Sequence, residues 1–148
     1  MVKETKILII EDNPADIGLI REAFELAEMR CKLEVVHDGL AALAFLQQKE
    51  PYVSVSLPDF ILLDLNLPQK SGLEVLQEVK SDAKLKHIPV AVLTSSDVQE
   101  DIAKSYDLHA NCFITKPWDM QQYARIMRSL GEFWFRTAVL PKVPKAGS

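Results

Sequence analysis

The chain has 148 residues, of which 48% are hydrophobic and 26% are charged, as is ordinary for a soluble globular protein. Its 17 basic and 21 acidic side chains give a net charge of −4. That balance argues against a nucleic-acid-binding face and against a polybasic membrane surface. The apolar runs are far shorter than the roughly 20 residues that span a bilayer. The two cysteines, Cys31 and Cys112, fit a reducing cytosol better than a disulfide framework. We therefore expect a cytoplasmic protein with one domain.

Short β-branched runs alternate along the chain with longer stretches of helical period. This alternation is typical of βα units on a parallel sheet. Three of the runs are almost continuously apolar, as expected for strands that helices cover on both faces. The five predicted strands are Lys6–Ile10, Leu33–Val36, Phe60–Leu63, Pro89–Leu93 and Cys112–Ile114.

A helix is predicted after each strand. The first has the clearest start, with Asn13 as N-cap, Pro14 at the first helical position and Asp16 near the positive end of the helix dipole. The others are predicted from about Leu40 to Gln48, from near Ser71, from about Val98 to Tyr106, and from near Asp119. The fourth has the weakest periodicity. The expected fold is α/β, a (βα)5 doubly wound five-stranded parallel sheet.

Polar residues stand where four of these strands end. Ligands of an open parallel sheet bind outside the carboxyl ends of its strands. A strand order of 2-1-3-4-5 would bring these four ends to one crevice. The residues are Glu11 and Asp12 after the first strand, Asp64 and Asn66 after the third, Thr94 at the end of the fourth, and Lys116 after the fifth.

Three carboxylates in one crevice must hold protons or a cation, since two unit charges about 4 Å apart repel by roughly 4 kcal/mol at an effective dielectric near 20. Oxygen ligands favour Mg²⁺, for which Glu11, Asp12 and Asp64 are the candidates, with the Asn66 backbone carbonyl as a further ligand. A carboxylate nucleophile beside Mg²⁺, a lysine and a hydroxyl donor indicates phosphoryl transfer onto aspartate. The lysine and the hydroxyl would be Lys116 and Thr94.

These residues resemble those of receiver domains of two-component response regulators, the family that includes CheY. The loop DLNLPQKSG at residues 64–72 is similar to the family pattern D-x-x-[ML]-P-x-x-x-G, and the resemblance covers about Lys6 to Leu130. It implies a CheY-like fold and a peptide bond in the cis form between Lys116 and Pro117. The implied roles are Asp64 as phosphoacceptor, Glu11 and Asp12 as the acidic Mg²⁺ pair, Thr94 and Phe113 as switch residues, and Lys116 as the phosphoryl-binding lysine.

Within that family the chain is similar to the small regulators that pair with bacterial phytochrome kinases. The segments that carry this similarity are HDGLAALAFLQ at His37–Gln47, SYDLHANCFITKP at Ser105–Pro117 and FWFRTAVLP at Phe133–Pro141. It implies a histidine kinase as partner. We expect one receiver domain over residues 1–148, with a core of about 6–130 and a C-terminal extension and tail over 131–148. We expect no output domain, so the signal would leave by protein–protein contact or by passing the phosphoryl group on.

Three consecutive aromatic residues, Phe133, Trp134 and Phe135, lie in that extension. On an α-helix they would fan over about 200°, too wide for one narrow core stripe. Our hypothesis is that at least one of them covers a second copy of the chain, through the face made by the fourth helix, fifth strand and fifth helix.

Other functions fit the sequence less well. A phosphatase with an aspartate nucleophile needs a second acid or base two residues on, where this chain has Asn66. A flavin carrier of similar architecture needs a hydroxyl- and glycine-rich phosphate loop, whereas the loop EDNPAD after the first strand is acidic. The remaining alternative is a docking module of the same fold that acts without phosphorylation.

Overall fold

The structure is a computed structural model that describes residues 4–141. Five strands and five helices alternate in it, as predicted. They are β1 (Thr5–Ile10), α1 (Pro14–Leu26), β2 (Cys31–Val36), α2 (Gly39–Leu46), β3 (Phe60–Leu63), α3 (Gly72–Ser81), β4 (Val90–Thr94), α4 (Gln99–Asp107), β5 (Cys112–Thr115) and α5 (Met120–Leu130). Relative to the prediction, β2 begins two residues earlier and α2 ends two residues sooner.

The strands form one parallel sheet in the order β2-β1-β3-β4-β5, which confirms the predicted fold. The register aligns the carboxyl ends of the central strands, because Ile10 lies beside both Val36 and Leu63. Thr94 at the end of β4 likewise lies beside Thr115 of β5. The residues that follow these strands therefore emerge at one edge of the sheet.

Successive residues of the central strands point to opposite faces and fill two separate cores. One face carries Leu8 and Ile10 of β1 and packs under α2 and α3. The other carries Ile7 and Ile9 and packs under α1 and α5. Both faces of β1 are thus buried, which is why its sequence is apolar without alternation.

Side-chain caps fix the helix starts. The Asn13 side chain accepts hydrogen bonds from the backbone N–H groups of Ala15 and Asp16, so α1 begins at Pro14 as predicted. Asp38, Ser71 and Asp119 cap α2, α3 and α5 in the same way. Helix α4 has no side-chain cap bond at its N-cap residue, in keeping with its weak sequence signal.

Helix α5 continues into a π-helical segment, Gly131–Thr137, here called the aromatic extension. Trp134 and Phe135 both pack on Phe60, with ring centroids 5.6 Å and 5.4 Å away. Phe133 packs edge-on against Trp134 and is 54% exposed. Two of the three aromatic side chains therefore contact the chain's own core. The predicted tail beyond Pro141 lies outside the described residues.

No helix between residues 4 and 141 combines the length and the apolar character that crossing a bilayer requires.

Candidate active site

Glu11, Asp12 and Asp64 meet at the carboxyl ends of β1 and β3. Each offers a carboxylate oxygen, and these oxygens lie within 4.8 Å of one another. Glu11 is 2% exposed and Asp64 is 5% exposed, whereas Asp12 faces solvent. A carboxylate group of this kind, open to water on one side, matches the oxygen ligands and retained waters of protein-bound Mg²⁺. The cluster is therefore suited to holding a divalent cation.

The Lys116 side chain extends to these carboxylates and is only 9% exposed. Its ammonium nitrogen lies 2.8 Å from Glu11 Oε2, 2.8 Å from Asp16 Oδ2 and 3.1 Å from Asp64 Oδ2. An ammonium has three N–H donors, and here each of them has a carboxylate partner. The Lys116 backbone N–H also donates to the Thr94 carbonyl at 2.8 Å, which fixes the lysine at the end of β5.

The sequence predicts Asp16 only as a favourable acid in the first turn of α1. Its contact with Lys116 makes it a site residue that sequence reasoning missed. The available signal is its position, because α1 begins two residues after the acidic pair Glu11-Asp12, at the edge of the sheet where ligands bind.

Burial sets the electrostatics of the site. Burial raises the pKa of Glu11 to about 7. The hydrogen bond with Lys116 acts in the opposite direction and lowers this pKa, whereas the negative charge of Asp64 raises it further. Burial lowers the pKa of Lys116, but its hydrogen bonds to Asp16 and Glu11 and the charge of Asp64 more than compensate, and the net shift is upward. Lys116 is thus held as a cation, while Glu11 gives up its proton only near neutral pH.

This shift predicts that cation binding by the cluster would depend on pH, because Glu11 has to lose its proton before it can coordinate a cation. With a pKa of about 7, the ionised fraction rises from about one-tenth at pH 6 to about nine-tenths at pH 8. We expect Mg²⁺ to bind about tenfold more tightly at pH 8 than at pH 6, with proton release that calorimetry in two buffers would count. Glu11→Gln should bind more weakly and lose this pH dependence. Equal affinity of the unmodified protein at both pH values would contradict the prediction.

Thr94 ends β4 and is fully buried, and its hydroxyl has no hydrogen-bond partner. A buried hydroxyl without a partner is costly, so it is ready to bond an acceptor that enters the site. The structure thus places Thr94 at the same sheet edge as Lys116, whose backbone it contacts.

Two other predicted residues lie around this centre. The Asn66 backbone N–H donates to Asp64 Oδ1 at 3.2 Å, so the loop after β3 folds over the carboxylate. Phe113 is partly buried against the core under α2 and α3, and its backbone N–H donates to the Tyr106 hydroxyl at 3.1 Å.

The expectation of a cis peptide bond between Lys116 and Pro117 is wrong, since in residues 4–141 the cis peptide bond is Glu50–Pro51. The trans form is the lower-energy one for an X–Pro bond, and Lys116 reaches its partners from it.

Known proteins resemble this chain over most of its length. The family model of the response regulator receiver domain matches residues 7–128. Response regulator Rcp1 of Synechocystis sp. is 44% identical over 135 residues, which cover 91% of this chain and 92% of Rcp1. The crystal structure of the phosphorylated cyanobacterial phytochrome response regulator RcpA matches with a TM-score of 0.90 and 49% identity, covering 95% of this chain and all of RcpA. The Mn²⁺-bound form of Rcp1 matches with a TM-score of 0.87 and 43% identity, over 93% and 99% of the two chains.

Proposed function

Because the chain belongs to the family of response regulator receiver domains, whose function is phosphoryl acceptance, we propose that its Asp64 is the phosphoacceptor. The observation that carries this proposal is the environment of that carboxylate. Asp64 is buried at the end of a central strand, inside the acidic cluster, with the Lys116 ammonium 3.1 Å from its Oδ2. Nucleophile, cation ligands and a compensating positive charge thus share one crevice.

In the proposed reaction a carboxylate oxygen of Asp64 attacks phosphorus in line with the leaving group of the donor, which is a phosphohistidine of a kinase. The O–P bond forms as the P–N bond breaks, and the histidine nitrogen departs. Lys116 stabilises charge on the equatorial phosphoryl oxygens, and the unpartnered Thr94 hydroxyl donates to one of them. Mg²⁺, held by Glu11, Asp12, Asp64 and the Asn66 backbone carbonyl, would supply further charge neutralisation. The chain in this way catalyses its own phosphorylation and dephosphorylation and remains a signalling protein.

The phosphoryl group would then bias a two-state surface. Thr94 moves toward it, and the partly buried Phe113 turns inward into the space this movement opens. Both residues lie on the adjacent strands β4 and β5, so the change reaches the face formed by α4, β5 and α5. Signalling would occur through this face, by contact with another protein.

The similarity to RcpA and Rcp1 supports a histidine kinase of the bacterial phytochrome type as the donor. Trp118, two residues after Lys116, is 98% exposed and presents a large apolar surface to such a partner.

The family match and the continuous fold support a single receiver domain over residues 1–148. The free thiols of Cys31 and Cys112 agree with a location in the cytoplasm.

We also propose a homodimer through the α4–β5–α5 face and the aromatic extension. Phe133 supports it, since more than half of this large apolar side chain stays exposed while Trp134 and Phe135 pack on Phe60. Light scattering at tens of micromolar should show a dimer that Phe133→Ser weakens. If light scattering shows a monomer at that concentration, the homodimer proposal is wrong.

Mass spectrometry of the intact protein tests the phosphoacceptor. We expect incubation with acetyl phosphate and Mg²⁺ to add one phosphoryl group to the unmodified protein and none to Asp64→Asn. Asp107→Asn makes the same chemical change at the exposed end of α4 and should be phosphorylated normally. If the folded protein binds Mg²⁺ but is never modified, the docking module that acts without phosphorylation is the better description.

A further inference from the structure

We infer that Asp16 is a positioning residue that anchors the Lys116 ammonium while a cation and a phosphoryl group occupy the other side of the site. This inference rests on the proposed function. It assigns a task in the phosphorylated state to a carboxylate that lies outside the acidic cluster.

The three carboxylates around Lys116 differ in what else they can bind. Glu11 and Asp64 also belong to the cation-holding cluster, whereas Asp16 does not. A divalent cation on Glu11 and Asp64 attracts their oxygens and repels the neighbouring ammonium. Of the described carboxylates that contact Lys116, Asp16 is the one that does not also bind the cation, so its charge remains available to the ammonium.

The donors of the ammonium lead to the same conclusion. All three N–H groups have carboxylate partners in the structure, so Lys116 can bind a phosphoryl oxygen only by releasing one of them. If the bond to Asp16 persists at 2.8 Å, the ammonium turns from Asp64 to the phosphoryl group without leaving the site. The Asp16 backbone N–H donates a hydrogen bond to Asn13 Oδ1 at 3.2 Å, which fixes the backbone position of Asp16.

The anchor lies near the place where α1 packs against α5, and the side chains of Lys116 and Asp16 are 9% and 22% exposed. Tyr123 of α5 is fully buried there, and its hydroxyl has no hydrogen-bond partner. Burial raises the pKa of Tyr123 to about 12, and the charge of Asp16 is the next largest cause. Because both side chains of the Asp16–Lys116 pair are mostly buried, water screens their attraction less than it screens that of an exposed pair.

Two titrations of the full chain by calorimetry separate an anchor from a structural residue. Mg²⁺ alone reports the acidic cluster, and beryllofluoride added at saturating Mg²⁺ reports the phosphoryl position. We expect Asp16→Asn to keep its Mg²⁺ affinity within about twofold and to lose at least about tenfold in beryllofluoride affinity, as expected for one charge-assisted hydrogen bond. Asp16→Glu, which keeps the charge, should recover part of that loss. Glu22→Gln removes an exposed acid on the same helix and should change neither affinity.

The outcomes are distinct. Unchanged beryllofluoride affinity in Asp16→Asn would overturn the inference, and so would an equal loss of both affinities accompanied by a lower melting temperature. If the unmodified protein binds Mg²⁺ but no beryllofluoride, the proposed function itself fails.

Discussion

Lys116→Ala is expected to destabilise the metal-free protein by about 3–5 kcal/mol at pH 8, the range typical of removing one partner from a buried ion pair. The change leaves Glu11 and Asp64 buried, close together and without a counter-charge. Mg²⁺ should restore much of the lost stability, because the cation replaces the ammonium charge. Urea unfolding followed by circular dichroism, with and without Mg²⁺, measures both effects. Phosphorylation by acetyl phosphate should fall at least about a hundredfold, since Lys116 stabilises charge in the transition state.

The pH dependence of this variant follows from the same charges. Without Lys116, Glu11 loses the hydrogen bond and the positive charge that lower its pKa, so burial and the charge of Asp64 place that pKa further above the unfolded value. The stability that ionised Glu11 costs is therefore absent below the unfolded pKa and fully present above the folded one. The deficit should be larger at pH 8 than at pH 5. Lys104→Ala is the matched control, since it breaks an exposed pair with Glu100 worth about 0.3–0.5 kcal/mol. A Lys116→Ala protein as stable as the unmodified one at pH 8 without metal would contradict this electrostatic account.

Gly72→Ala is expected to cost about 3 kcal/mol and to weaken Mg²⁺ binding. A β-carbon at Gly72 would lie 2.3 Å from the Asp64 carbonyl oxygen and 2.5 Å from the Leu65 α-carbon. These are backbone atoms, so relief requires the loop that carries the proposed phosphoacceptor to move. The Gly72 N–H also donates to the Leu65 carbonyl at 3.0 Å, which ties the start of α3 to that loop.

Gly18→Ala is the control for this substitution within the same chain. Gly18 lies on the exposed side of α1 with nothing within 4 Å of the added β-carbon. Alanine there should raise the free energy of unfolding by up to about 1 kcal/mol through its higher helix propensity. Urea titrations compare the two variants, and Mg²⁺ affinity should change only in Gly72→Ala. Equal stability of the two variants, together with unchanged Mg²⁺ affinity in Gly72→Ala, would show that the close approach at Gly72 is relieved without moving Asp64.

The fold and much of the site could be predicted because both depend on patterns that are local in sequence. Continuously apolar runs identified the central strands, and the parallel arrangement placed whatever follows each strand at one edge. Glu11, Asp64 and Lys116 follow three different strands, and the structure brings both carboxylates within 3.1 Å of the Lys116 ammonium. No long-range packing detail was needed for that convergence.

The features that sequence reasoning missed depend on side-chain direction and on irregular backbone. Whether Asp16 turns toward Lys116 or toward solvent depends on the rotation of α1 against the sheet, which the first-turn position does not specify. For the residues of the aromatic extension, α-helical geometry predicts a wide fan of side chains. A π-helical segment has more residues per turn and is rare, and in it Trp134 and Phe135 both reach Phe60.

The sheet that divides the interior into two cores also governs how substitutions combine. Leu8 and Ile61 belong to the core under α2 and α3, while Ile9 and Leu62, their neighbours in sequence, belong to the core under α1 and α5. Paired changes within one core share packing partners, so their effects on stability are coupled and need not sum. Changes on opposite sides of the sheet share few partners and should come closer to additivity. Residues adjacent in the chain can therefore vary almost independently, whereas residues from different strands on one face are constrained to vary together.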